Sequence, residues 1–250
     1  MKVLVGTSGW VYKDWAKRFY PVTLKHEYKL TYFAHHFPTV EINSTFYKLP
    51  SENTVKNWYG SVPKDFVFTV KLSRYLTHMV QLKPGKKFDQ GLDNYFSRVQ
   101  FLKDKIGCVL VQLPSSYHAK PERIENLAAK FKGMEKKYDL KLPIATEFRH
   151  KSWFIPEILN MLSKLNICNV IASGPGRWPE TREVTADFAF IRFHGDERLY
   201  ASSYSEKSLN EWADFIKTNC KKSKVVYCYF NNDMSAKAID NAKYLMARFS

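Results

Sequence analysis

The chain has 250 residues, 45% of them hydrophobic and 25% charged, with only 10 glycines and 11 prolines. That composition supplies ample core and excludes disordered, collagen-like and low-complexity proteins, as well as small disulfide-stapled folds. Lysine and arginine number 39 against 24 acidic residues, and the formal charge of +15 attracts polyanions such as nucleic acid or anionic membranes, unless it only solvates the surface.

The N-terminal stretch MKVLVGTSGW passes from a strand pattern straight into a loop, without an apolar leader or cleavage signal. No window approaches the roughly 18 apolar residues of a membrane span, so a cytoplasmic protein without membrane contact is expected. The first β-branched run covers 3–8 and is followed by a helical pattern at about 23–37. A run at 39–43 precedes a helical pattern at 51–60. The run at 66–72 leads to 91–104, where Leu92, Tyr95, Phe96, Val99 and Leu102 share one face of a 3.6-residue period. The run at 107–113 leads to 121–138, with Ile124, Leu127, Phe131 and Met134 in phase. Runs at 142–148, 167–173, 188–194 and 224–230 follow, with helical patterns at 155–165, 205–220 and 235–248.

Strand and helix alternate from end to end, which predicts an all-parallel sheet, and eight strands at this length predict closure into a (β/α)8 TIM-type barrel. No linker, repeat or low-complexity tract divides the chain, so residues 1–250 form one domain. Neither a GxGxxG nor a P-loop pattern occurs. Cys108, Cys168 and Cys228 lie inside apolar runs and Cys220 ends a helical one, with no CxxC pair, which predicts buried free thiols.

Alternate residues of a barrel strand point toward the helices or into the lumen. In the second strand Val40 and Ile42 face the helices, leaving Glu41 and Asn43 inside. The third strand turns Lys71 inward, the fourth Gln112, the fifth Glu147 and Arg149. In the last two, Arg192 and His194, then Tyr229 and Asn231, oppose apolar partners. Each polar group falls at the C-terminal end of its strand, where barrels of this type place their chemistry. A buried network that merely neutralises itself is the competing explanation, although such networks seldom stabilise a fold better than apolar packing.

The mouth so predicted is net positive and suits phosphate or carboxylate. Arg192 and Arg149 can clamp an oxyanion, Lys71 adds a point charge, and Gln112, Asn43, Asn231 and Asn232 can orient polar groups. Glu147, Glu41 and His194 are the catalytic candidates, Glu147 as general base with His194 or His150 as acid. Among loop aromatics, Trp10, Tyr12 and Tyr47 are ligand candidates, whereas Trp15, Phe46 and Trp153 read as loop packing. His26, His35, His36 and His118 read as scaffold. Glu41, Glu147, His194 and Asp233 could surround a divalent ion, but the intervening Lys and Arg repel cations, so no metal or cofactor is expected.

GTSGWVYKDW with FYP at 6–21, VEINSTFYKLP at 40–50, Thr77-His78, QLP at 112–114, EFRHKSW at 147–153, RFHG at 192–195 and FNND at 230–233 together resemble the YecE-like family, domain of unknown function 72. That resemblance implies a TIM-type barrel without an assigned activity. The expectation for function is an enzyme-like pocket for a phosphate-bearing ligand, nucleic acid (DNA or RNA) or a nucleotide. The alternatives are a non-catalytic nucleic-acid-binding protein and a small sugar-phosphate enzyme.

Overall fold

The computed structural model describes residues 1–176 and 178–249. The strands are β1 (Lys2–Ser8), β2 (Thr39–Ile42), β3 (Val67–Lys71), β4 (Ile106–Gln112), β5 (Ile144–Glu147), β6 (Cys168–Asn169), β7 (Ile171–Ser173), β8 (Phe188–Phe193) and β9 (Val225–Phe230). All pair in parallel, in the order β6-β5-β4-β3-β2-β1-β9-β8-β7. β6 and β7 are two halves of the expected sixth strand. The first half pairs with β5 and the second with β8, and the Val170 amide between them donates to the Thr146 carbonyl at 2.9 Å. The sheet therefore comes nearly full circle as a TIM-type barrel.

The helices are α1 (Lys29–Ala34), α2 (Ser44–Tyr47), α3 (Glu52–Gly60), α4 (Lys86–Val99), α5 (Pro121–Tyr138), α6 (Pro156–Lys164), α7 (Glu206–Asn219) and α8 (Lys237–Met246). Their starts follow local chemistry: Ser51 and Ser205 accept the Thr54 and Ser208 amides, and proline opens α5 and α6. Two boundaries differ from expectation. α4 starts five residues before the predicted 91, because Phe88 is already buried. The pattern at 23–37 condenses to a 3-10 turn and the short α1, since residues 26–28 bury nothing that would hold them to the barrel. The α2 turn and a π-helical turn over Tyr75–Met79 had no periodic signature.

Strand parity divides the interior into two cores. Val40, Val70, Val111, Ile191 and Phe230 belong to the large cluster between sheet and helices. Leu110, Phe190, Tyr227 and Tyr229 belong to a smaller cluster filling the lower lumen. Buried between β2 and β3, the Tyr229 hydroxyl meets Thr39 Oγ1 at 2.6 Å and Thr69 Oγ1 at 2.8 Å. This packed floor leaves only the C-terminal strand ends open. The four cysteines are free and buried.

Candidate functional site at the barrel mouth

Directly above the apolar floor lies a chain of charges. Arg192, 1% exposed, donates from Nε to Glu41 Oε2 at 3.0 Å and from Nη2 to Glu41 Oε1 at 2.7 Å. Its Nη1 reaches Glu147 Oε2 at 2.5 Å. Arg149 Nε donates to the other oxygen of Glu147 at 2.8 Å, and its Nη2 reaches Gln112 Oε1 at 3.3 Å. Lys71 Nζ donates to that same Gln112 oxygen at 2.8 Å. Five strands thus contribute to one connected network.

Burial by itself would push the Glu147 carboxyl up, but Arg192, Arg149, His194 and Lys71 outweigh it and hold the group well below the usual carboxylate range. Both Glu147 oxygens are occupied by cations, an arrangement that positions guanidinium groups and leaves little capacity to accept a substrate proton. Glu41 and Glu147 are fully buried and form the layer beneath the cavity. His194 is buried beside them, its basicity reduced by burial and then by Arg192. Its Nδ1 meets Asn231 Nδ2 at 3.3 Å, while Nε2 has no hydrogen-bond partner among the described residues.

Over this layer opens a cavity of about 810 Å³ lined by Tyr12, Asn43, Tyr47, Lys71, Gln112, Arg149, Arg192 and Asn231, all anticipated as ligand contacts. Two anticipated residues are elsewhere. Trp10 packs edge-on against Trp58 at 5.6 Å and does not line the cavity. Asn232 is buried, donating to the Ser202 carbonyl at 3.0 Å and to Asn241 Oδ1 at 2.9 Å, so it braces a loop.

Phe46, Arg74, His78, Tyr200 and Met234 also line the cavity and were not assigned to it from the sequence, and Asp233, weighed there only as a possible metal ligand, lines it as well. Arg74 and His78 arrive on the π-helical turn after β3, which carries no alternation to read. The Thr77-His78 and FNND motifs were the available signals. Phe46, read as packing, holds Lys71 Nζ 4.4 Å from its ring centroid and the His78 ring edge-on at 5.1 Å. Trp15 and Trp153 are fully buried, as packing predicted.

The two sides of the cavity differ electrostatically. On the β3 side, burial and then the Arg192 charge bring the Lys71 ammonium down to about 8, against the pull of Glu41 and Glu147. Burial, Lys71, Arg74 and Arg149 bring His78 down to about 4, so it is neutral near pH 7. On the β9 side, burial pushes the Asp233 carboxyl up to about 8, with the nearby Glu41 adding to the effect. Tyr12 lies against that carboxyl, donates its own hydroxyl proton to the Ser8 carbonyl, and has its phenol pushed up by the same burial.

Lysines cluster at both ends of the barrel. Lys83, Lys86 and Lys87 are exposed at the start of α4, at the mouth end of β3. Lys217 ends α7, and Lys221, Lys222 and Lys224 precede β9, at the opposite end of the barrel. No helix of the described residues is long and apolar enough to cross a membrane.

Comparison with known proteins agrees with this architecture. The chain is 25% identical to the UPF0759 protein YunF of Bacillus subtilis, over 98% of this chain and 93% of that one. It is 28% identical to the UPF0759 protein YecE of Escherichia coli K12, over 46% of this chain and 39% of YecE. A crystal structure of a DUF72 family protein from Thermotoga maritima superposes with a TM-score of 0.85 at 29% identity, covering 100% of this chain and 99% of that one. A DUF72 family protein from Enterococcus faecalis superposes at 0.81 with 20% identity, covering 98% and 94%, and supports the fold alone. The family model described as protein of unknown function DUF72 matches residues 4–250, and the chain belongs to that family.

Proposed function

We propose that the barrel mouth binds a phosphate-bearing ligand, a nucleotide or the end of a nucleic-acid strand, with the phosphate on the β3–β5 side. The observation that carries this reading is an imbalance of charge. Lys71, Arg74, Arg149 and Arg192 all line the cavity. The carboxylates Glu41 and Glu147 are both spent on Arg192 and Arg149, and Asp233 is largely protonated near pH 7. Among the described residues, neither Lys71 nor Arg74 takes part in an ion pair. A low-dielectric pocket with surplus cations favours an anion strongly, and a planar guanidinium suits phosphate oxygens.

Aromatic rings extend the fit beyond the phosphate. Tyr47, 78% exposed, and Tyr200 present ring surface near the cations, suited to stacking a base or covering a sugar face, while the buried Phe46 backs Lys71. The cavity volume falls within the range that holds a mononucleotide-sized ligand.

The test is thermal unfolding with inorganic phosphate, adenosine monophosphate and a short single-stranded oligonucleotide, each at low and high salt. Saturable stabilisation by phosphate and the nucleotide, reduced about tenfold in affinity by Arg74→Ala, is the expected result, on the scale of one charged hydrogen bond. No stabilisation by any of the three at low salt refutes the reading.

A further inference from the structure

Lys71 is a buried lysine that is not used as scaffold lysines are. Lys105, at the other end of the barrel, shows the scaffold case: it is 5% exposed and its Nζ donates to the Tyr59 and Val62 carbonyls, both at 2.9 Å. Lys71 is 7% exposed and lines the open cavity. Among the described residues its Nζ has one hydrogen-bond acceptor, Gln112 Oε1, which is shared with the Arg149 guanidinium. An ammonium carries three protons, so two remain without an acceptor among the described residues. Arg149 beside it and the Phe46 ring above it leave the nitrogen facing the cavity contents as its remaining partner.

We propose that Lys71 is an amine nucleophile that captures the free carbonyl of a phosphorylated sugar as an imine, with Arg149 and Arg74 holding the phosphate. This rests on the phosphate reading above and narrows its ligand to one with an unmasked aldehyde or ketone. The neutral amine attacks the carbonyl carbon, forming a C–N bond while the C=O π pair moves to oxygen. The carbinolamine then loses its oxygen as water. In sum, the lysine ammonium and the carbonyl compound give a protonated imine and one water, with no change of oxidation state.

The surroundings favour the attacking form of the amine. Like charges and burial favour the uncharged amine: with its ammonium brought down to about 8, roughly a tenth of Lys71 is free base at pH 7. His78, neutral near pH 7, packs edge-on against the same Phe46 ring. Thr77 Oγ1 gives its hydrogen to the Ser73 carbonyl at 3.0 Å, so at 2.9 Å from His78 it accepts from Nδ1–H. That assigns the proton to Nδ1 and leaves Nε2 an unprotonated acceptor on the cavity wall, while the ammonium proton passes to cavity water before attack and is regained as the carbinolamine sheds water.

Pyridoxal 5′-phosphate, an aldehyde bearing a phosphate, is the probe, with pyridoxal as the same aldehyde without one. The imine is fixed by borohydride and its position found by peptide mass spectrometry. At one equivalent of probe, Lys71 should carry most of the label, at a rate at least tenfold above that of pyridoxal and rising with pH through about 8. Lys71→Arg should abolish that label with an unchanged melting temperature. Arg74→Ala should slow the phosphate-bearing probe and leave pyridoxal unaffected. Ribose 5-phosphate with cyanoborohydride should leave a sugar-phosphate adduct on the same residue.

Label spread over surface lysines such as Lys86 and Lys217, with Lys71 no faster, overturns the proposal. If inorganic phosphate nonetheless stabilises the protein, the phosphate site stands and only the capture is lost. If pyridoxal labels Lys71 as fast as its phosphate and inorganic phosphate gives no protection, the phosphate site fails and the proposed substrate class with it.

Discussion

Arg192 grips Glu41 with two parallel hydrogen bonds, at 3.0 and 2.7 Å, across 151 positions of sequence and at 1% exposure. Its remaining nitrogen holds Glu147, so a single guanidinium bridges two buried carboxylates from distant parts of the chain, and Arg149 supplies the second positive charge. Burial disfavours the charged guanidinium, yet Glu147 and Glu41 more than reverse that and keep it protonated.

Replacing Arg192 by methionine therefore strands Glu41 in a low-dielectric layer and leaves Glu147 with Arg149 alone. A loss of about 3–5 kcal/mol is expected in urea denaturation, the scale for breaking a buried pair from one side. Adding Glu41→Gln and Glu147→Gln to that variant should recover part of the loss. A cost of less than about 1 kcal/mol for Arg192→Met would show that the layer contributes little to the fold.

Asp233 gives the stability a pH dependence of defined sign. Its carboxyl is raised from 3.8 to about 8 in the folded protein, which therefore keeps a proton that the unfolded chain releases above about pH 4. The folded state binds more protons across that window, so this residue makes stability fall as pH rises from about 4 to about 8, and adds no further slope above. Asp233→Asn should flatten the profile between those limits and stabilise the protein at pH 8. Parallel parent and variant profiles of unfolding free energy against pH would contradict that assignment.

Gly6 sets the approach of β1 to β2. A Cβ at this position would lie 2.1 Å from the Thr39 carbonyl oxygen, on a strand whose pairing fixes where Glu41 meets Arg192. The obstruction is backbone, so no side-chain rotation relieves it. Gly6→Ala should cost about 3 kcal/mol, at the upper end for overpacking, or prevent folding. Wild-type stability for this variant would show that the strands separate easily.

The lysine clusters make separable contributions if the ligand is a strand of nucleic acid. Alanine at Lys83, Lys86 and Lys87 should lower the salt dependence of oligonucleotide binding, by roughly 0.7 in slope for each lost phosphate contact on a single strand. Alanine at Lys217, Lys221 and Lys222 should leave it unchanged, because they lie at the closed end. Equal effects from both sets, measured by fluorescence anisotropy across salt, would place binding outside the mouth.

The fold was legible because its signals are local. Each strand carries its own alternation, each long helix its own 3.6-residue stripe, and parity alone assigned Glu41, Lys71, Gln112, Glu147 and Arg192 to the barrel interior. The segments that went unread have no period to detect. The turn bearing His78 is five residues of π-helix, and the irregular loop after β9 presents neither stripe nor alternation to show that Asp233 would be buried against Tyr12.

The sequence by itself determined the nearly closed parallel barrel and the face on which each polar side chain would lie, since apolar residues at period two must turn toward the helices. Only the tertiary structure decided which charges cancel and which stay available. Arg192 could have answered a ligand, but strand order around the barrel brings Glu41 and Glu147 within 3.0 Å of it and leaves Lys71 with one shared acceptor. Pairing between charges depends on distances across the lumen, which the order and stagger of strands set and which no single segment of sequence encodes.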